Sequence, residues 1–106
     1  MSPLRDQSCC HQSGNPLTDD SINQYLSQLK QSWLSNNNDI ECDFNFKNFH
    51  ETMAFVNAVA WIAHQQDHHP DLEVGYKHCL IRFSTHSVGG LSINDFICAA
   101  KVEQLL

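Results

Sequence analysis

A chain of 106 residues, 42% of them hydrophobic, has material for one domain with a thin core, so a second domain is not expected and burial against further copies of the chain is. The formal net charge is −6 and the six Lys and Arg are thinly spread, which excludes a basic stripe for a phosphate backbone or an anionic membrane and with it direct nucleic-acid binding. The longest apolar run, within Met53–Ala63, is too short and interrupted to span a bilayer, and Met1–Asn15 lacks the apolar core of a secretory leader, which makes a cytoplasmic location the expectation.

Residues 1–16 are polar, carry Pro3, Gly14 and Pro16 and show no period; they are expected to form a disordered N-terminal arm ahead of a folded domain at 17–106. Thr18 then offers an N-cap before Asp19 and Asp20, and Ile22, Tyr25, Leu26 and Leu29 recur at helical spacing, predicting a helix from Asp19 to about Lys30. Trp33 and Leu34 begin a strand, and Ser35–Asp39, with its three asparagines, is turn material. The return strand alternates, placing Ile40, Cys42, Phe44 and Phe46 on one face and Glu41, Asp43, Asn45 and Lys47 on the other.

From Asn48 the period becomes helical: Phe49, Thr52, Met53, Val56, Val59, Ala60 and Ala63 share a stripe that Phe55 and Ile62 widen. Pro70 disfavours helical geometry at His69, so this helix should end near Asp67 or His68. Leu72–Tyr76 and Cys79–Thr85 read as two further strands, Gly89 and Gly90 mark a turn, and Ser92 with Asp95 forms a capping box for a last helix carrying Ile93, Phe96, Ile97 and Ala100. The order α-β-β-α-β-β-α, with one apolar stripe per helix, predicts an α+β fold: a four-stranded antiparallel sheet with three helices on one face.

Two residue types carry chemistry. Five cysteines at irregular spacing make a poor disulfide framework and contain no CxxC pair, so Cys42, Cys79 and Cys98 are expected in the core. Of seven histidines, His64, His68, His69 and His86 flank the junction between the long helix and the later strands. Imidazoles gathered there suit general acid and base catalysis near neutral pH, or a metal site in which the i, i+4 pair His64 and His68 is joined by His86. His11, His50 and His78 are expected to face solvent, and the phenylalanines, Phe49 among them, to pack in the core.

The run His68-His69-Pro70-Asp71, then Tyr76, Thr85-His86, Gly89-Gly90-Leu91-Ser92 and Asp95-Phe96, resembles the signature of the pterin-4a-carbinolamine dehydratase family. The likeness covers about residues 17–104 and includes Phe46-Lys47-Asn48-Phe49. It implies a saddle-like α+β subunit assembled as a dimer or tetramer, which dehydrates 4a-hydroxytetrahydropterin to quinonoid dihydropterin without a metal or organic cofactor. It also implies that His68, His69 and His86 line the pterin pocket, and that the family's acidic residue corresponds to Asp95. Asp67, Pro70 and Asp95 are the substrate-binding candidates, with Asp67 and Asp95 able to orient an imidazole. The chain departs from many members at His64, Leu72 and Ser87.

Loss of water needs a proton for the departing C4a hydroxyl and removal of one from N5. His68, at a helix C-terminus, is the candidate acid; His86 would hold the hydroxyl or shuttle the second proton and His69 would position the ring, roles the sequence leaves interchangeable. A pterin-dependent aromatic amino-acid hydroxylase is a conceivable partner of such recycling. Two alternatives stand beside the enzyme: a protein-binding dimerisation cofactor of a transcription factor, and a His-rich metal protein using His64, His68, His69 and His86.

Overall fold

The computed structural model describes residues 2–36 and 38–106, so the turn expected at Ser35–Asp39 includes Asn37, outside the described residues. Alternation of Ile40, Cys42 and Phe44 with polar neighbours produces strand β2 (Asp39–Asn45), which pairs with the short β1 (Leu34–Asn36) on one side. On its other side β2 pairs with β4 (His78–Phe83), setting Cys42 opposite Ile81 and Phe44 opposite Cys79. Strand β3 (Asp71–Val74) adds to the far edge of β4, giving an antiparallel sheet in the order β1-β2-β4-β3. One face, made by Ile40, Cys42, Phe44, Cys79, Ile81 and Phe83, is buried. The other is wet and carries a charged row, in which Arg82 Nη2 lies 2.6 Å from Glu73 and its Nε 3.6 Å from Glu41.

Helix α1 (Asp19–Leu26) starts as expected, with Thr18 Oγ1 accepting from Ser21 N–H at 3.3 Å, but ends four residues early. Its last turn tightens into bonds from Gln28 N–H to Tyr25 O and from Leu29 N–H to Leu26 O. The Glu103 carboxylate then takes the N–H groups of Lys30 and Gln31 and, at 2.9 Å, the indole N–H of Trp33, drawing the chain off the helical path. Helix α2 (Phe49–Gln66) is capped by Asn48, whose Oδ1 accepts from Glu51 N–H at 2.9 Å. It buries Thr52, Phe55, Val59 and Ala63, while Ala60 and Phe49 turn outward; Phe49, expected in the core, instead stacks on exposed Tyr76 at 5.9 Å. Helix α3 (Ile93–Glu103) has the expected capping box and is the most buried of the three, with Phe96, Cys98, Ala99 and Val102 fully inside.

The N-terminal stretch departs from expectation. Leu4, in a 3₁₀ turn at Leu4–Asp6, is only 4% exposed within the core, and Lys101 Nζ donates to Arg5 O at 2.9 Å, so this end of the chain lies along α3. A single buried leucine and backbone bonds to distant side chains leave no periodic trace, which is why a mobile arm was the expectation. The cysteines are all free, with Cys42, Cys79 and Cys98 buried; burial pushes the Cys42 and Cys79 thiols up to about 11. Among the described residues no helix is long and apolar enough to cross a membrane.

Candidate active site

Helix α2 ends in a sharp reversal. Asp67 takes the left-handed conformation (φ 50°, ψ 43°), and His68 N–H returns to Ala63 O at 3.2 Å, closing the last turn and sending the His68 side chain back toward the sheet. Its ring lies parallel to that of Phe83 on β4, 6.0 Å between centroids with 9° between planes, and is 11% exposed. Nε2 stands 2.6 Å from Asp95 Oδ1 in the first turn of α3.

Asp95 is wholly buried and uses both oxygens. Oδ2 accepts from Thr85 Oγ1 at 2.8 Å and from Ser92 N–H at 3.0 Å, so one carboxylate caps α3, anchors the end of β4 and fixes an imidazole. Since the Thr85 hydroxyl hydrogen is committed to Asp95, the 2.7 Å contact between Thr85 and Ser92 is a bond donated by Ser92. Burial by itself would depress the His68 pKa. The Asp95 carboxylate against the ring outweighs that, and the net displacement is upward from 6.5, toward the imidazolium at neutral pH. With Nε2 facing Asp95, Nδ1 is the ring nitrogen left for a ligand.

His68 opens onto a cavity of about 440 Å³, and the structure brings His69 and His86 to the same cavity. His69 follows His68 directly; His86 begins a 3₁₀ turn (His86–Val88) after Thr85 pairs with Gly90, and both side chains are exposed. Asp67 lines the cavity as well. Two expected substrate contacts do not: Pro70 is outside the lining and disfavours helical backbone at His69, and Asp95, also outside it, is bonded to the His68 ring. His64 also stays out; it is exposed, with its ring 5.7 Å from that of Trp61. No group of three or more His, Cys, Asp or Glu is placed to hold a metal among the described residues.

Sequence reasoning missed one side of this site. Cys9, Cys10, His11 and Gln12 line the cavity together with Gln66, Ser84, Ser87 and Asn94. Cys9, Cys10 and His11 fall in a stretch with no period, and Asn94 carries no signal beyond its place in a capping turn. His11, expected to face solvent, is exposed and also borders the cavity; the His78 side chain, expected to face solvent, is 46% exposed and bonds Asp43 at 3.0 Å. At Cys9 the contact with the Cys98 thiol, 3.6 Å away, lowers the pKa from 9.0; burial opposes this and the charges of His68 and Lys101 reinforce it.

A family model described as pterin 4 alpha carbinolamine dehydratase matches residues 15–105. A protein of Nitrosomonas eutropha, provisionally named a pterin-4-alpha-carbinolamine dehydratase, is 52% identical over 105 residues, covering 97% of this chain and 93% of its own. A Legionella pneumophila protein of the same provisional name is 50% identical over 109 residues, covering 99% and 96%. Among solved structures, a transcriptional coactivator/pterin dehydratase from Brucella melitensis superposes with a TM-score of 0.81 at 29% identity, over 86% of this chain and 98% of that one. A pterin dehydratase-like protein identified as a RuBisCO assembly factor in the alpha-carboxysome shares the fold alone, with a TM-score of 0.62 at 22% identity.

Proposed function

The chain belongs to the pterin-4a-carbinolamine dehydratase family, and from that membership we propose that it removes water from 4a-hydroxytetrahydropterin by histidine general acid and base catalysis, supporting tetrahydropterin recycling in the cytoplasm. The observation that carries this reading is the convergence of His68, His69 and His86 on one cavity, with His68 fastened to a buried carboxylate. The imidazolium of His68 protonates the C4a hydroxyl, which leaves as water. The N5 proton passes to His86 or His69, and the electrons of that N–H bond become the C4a–N5 double bond of the quinonoid product. Asp95 holds the acid, and the other cavity residues seat the bicyclic ring. The working form is a homo-oligomer of dimer or tetramer size, and a pterin-dependent aromatic amino-acid hydroxylase is the kind of enzyme that would supply the substrate.

The test is to feed enzymatically generated 4a-carbinolamine to the protein and follow its dehydration. Acceleration over the uncatalysed rate is expected, with a bell-shaped pH dependence, and His68→Ala or His86→Ala should each slow it by about a hundredfold or more. Wild-type turnover by the double variant would rule this chemistry out.

A further inference from the structure

Part of the cavity wall is built by the N-terminal segment, which precedes the 15–105 region matched by the family model. Four hydrogen bonds through its backbone hold it to the rest of the fold. Cys9 N–H donates to Gln66 Oε1 at 2.8 Å; Cys10 N–H donates to Asn94 Oδ1 at 3.3 Å, and Asn94 Nδ2 returns a bond to Cys10 O at 2.7 Å; the Ser87 hydroxyl donates to Gln12 O at 2.8 Å. Each anchor neighbours a residue of the site: Gln66 lies two before His68, Ser87 follows His86, and Asn94 precedes Asp95. Asn94 is 6% exposed and meets both polar groups of one residue's backbone, so its amide is spent wholly on this segment. Upstream, Leu4 is sunk in the core, and downstream Leu17 N–H bonds Leu91 O at 2.9 Å, so the stretch is pinned at both ends.

We propose that residues 9–12 form a fixed strap that walls the substrate cavity, and that this strap, held by Asn94, determines how tightly and which reduced pterin is bound. The inference rests on the dehydratase reading given above and adds to it a specificity element. The histidines act at C4a and N5, whereas pterins differ in the substituent on the pyrazine ring, so the chemistry at the reacting atoms cannot tell them apart. Discrimination falls to walls away from those atoms, and here the strap supplies Cys10, His11 and Gln12. Backbone bonds at three places keep these side chains in position before substrate arrives, which lowers the ordering cost of binding.

Two variants test this in the full-length protein: Asn94→Ala, which frees the strap, and Cys10→Gly/His11→Gly/Gln12→Gly, which keeps Leu4 and the backbone path but removes the wall. For each, kcat and KM for carbinolamine dehydration are measured alongside the dissociation constant of 7,8-dihydropterin, with thermal unfolding to confirm folding. The strap predicts that both variants raise KM and the dissociation constant by about fivefold or more with kcat nearly constant, the scale of one or two lost hydrogen bonds. His68→Ala should do the reverse, lowering kcat with the dihydropterin affinity nearly kept. Wild-type KM and affinity in the triple-glycine variant would overturn the strap while leaving the dehydratase reading intact. A fall in kcat alone in Asn94→Ala would equally overturn it, because the asparagine would then serve Asp95. Failure of the wild-type protein to bind or turn over any reduced pterin would remove the dehydratase reading, and the strap with it.

Discussion

Asp95 serves three partners with two oxygens: the His68 ring on one side, the Thr85 hydroxyl and Ser92 amide on the other, and through the last of these it caps the start of α3. The charge that raises the His68 pKa is therefore also a structural anchor, and two pH effects follow. Because the folded-state pKa of His68 lies above its ordinary 6.5, its pairing stabilises the native protein fully below about that pH and ceases to do so as pH rises through the displaced value. The difference in unfolding free energy between wild type and His68→Gln, measured in urea from pH 5.5 to 8.5, should therefore shrink with increasing pH; a difference that widens would contradict the pairing. The second effect is catalytic. In Asp95→Asn the hydrogen-bond frame is largely kept but the largest group opposing burial at His68 loses its charge, and the alkaline limb of the kcat profile should move to lower pH. An unmoved limb would mean that another group supplies the proton.

At the scale of elements, the left-handed Asp67 converts a helix end into a site. It closes the last turn of α2 and aims His68 at α3, and Pro70 prevents the helix from running on. Asp tolerates this backbone because its short side chain can bond locally, whereas a β-branched residue does not. Asp67→Val should lower the unfolding free energy by about 1–2 kcal/mol while Asp67→Gly leaves it level or slightly raised, readable by urea denaturation. The sequence announced this junction through Pro70, and it announced the strands through the alternation of Ile40, Cys42 and Phe44 and the last helix through Ser92 and Asp95. It overshot α1, because Leu29 keeps helical spacing and still packs against the core, while the carboxylate that ends the helix belongs to Glu103, on another element. A cap is local and can be read from four residues; a chain drawn aside by a group seventy-three positions away cannot.

Across the whole molecule the same distinction explains which half of the site was legible. His68, His69 and His86 carry a recognisable spacing, but the strap has no period and is held by backbone groups meeting side chains 57 to 84 positions distant. The sheet also leaves its edges open: β1 exposes Leu34 at 66% and β3 exposes Val74 at 44%, and on α2 Trp61 is 60% exposed. A chain of 106 residues gains by covering such positions with copies of itself, so light scattering at micromolar concentration should return a mass two or four times that of one chain, and a monomer would count against the proposed assembly. The joining of Cys10 to Asn94 has one more consequence, for the order in which the protein is made. During synthesis the strap emerges 84 residues ahead of the asparagine that clasps it, so a nascent chain carries its histidines beside an unfinished pocket until α3 has left the exit tunnel.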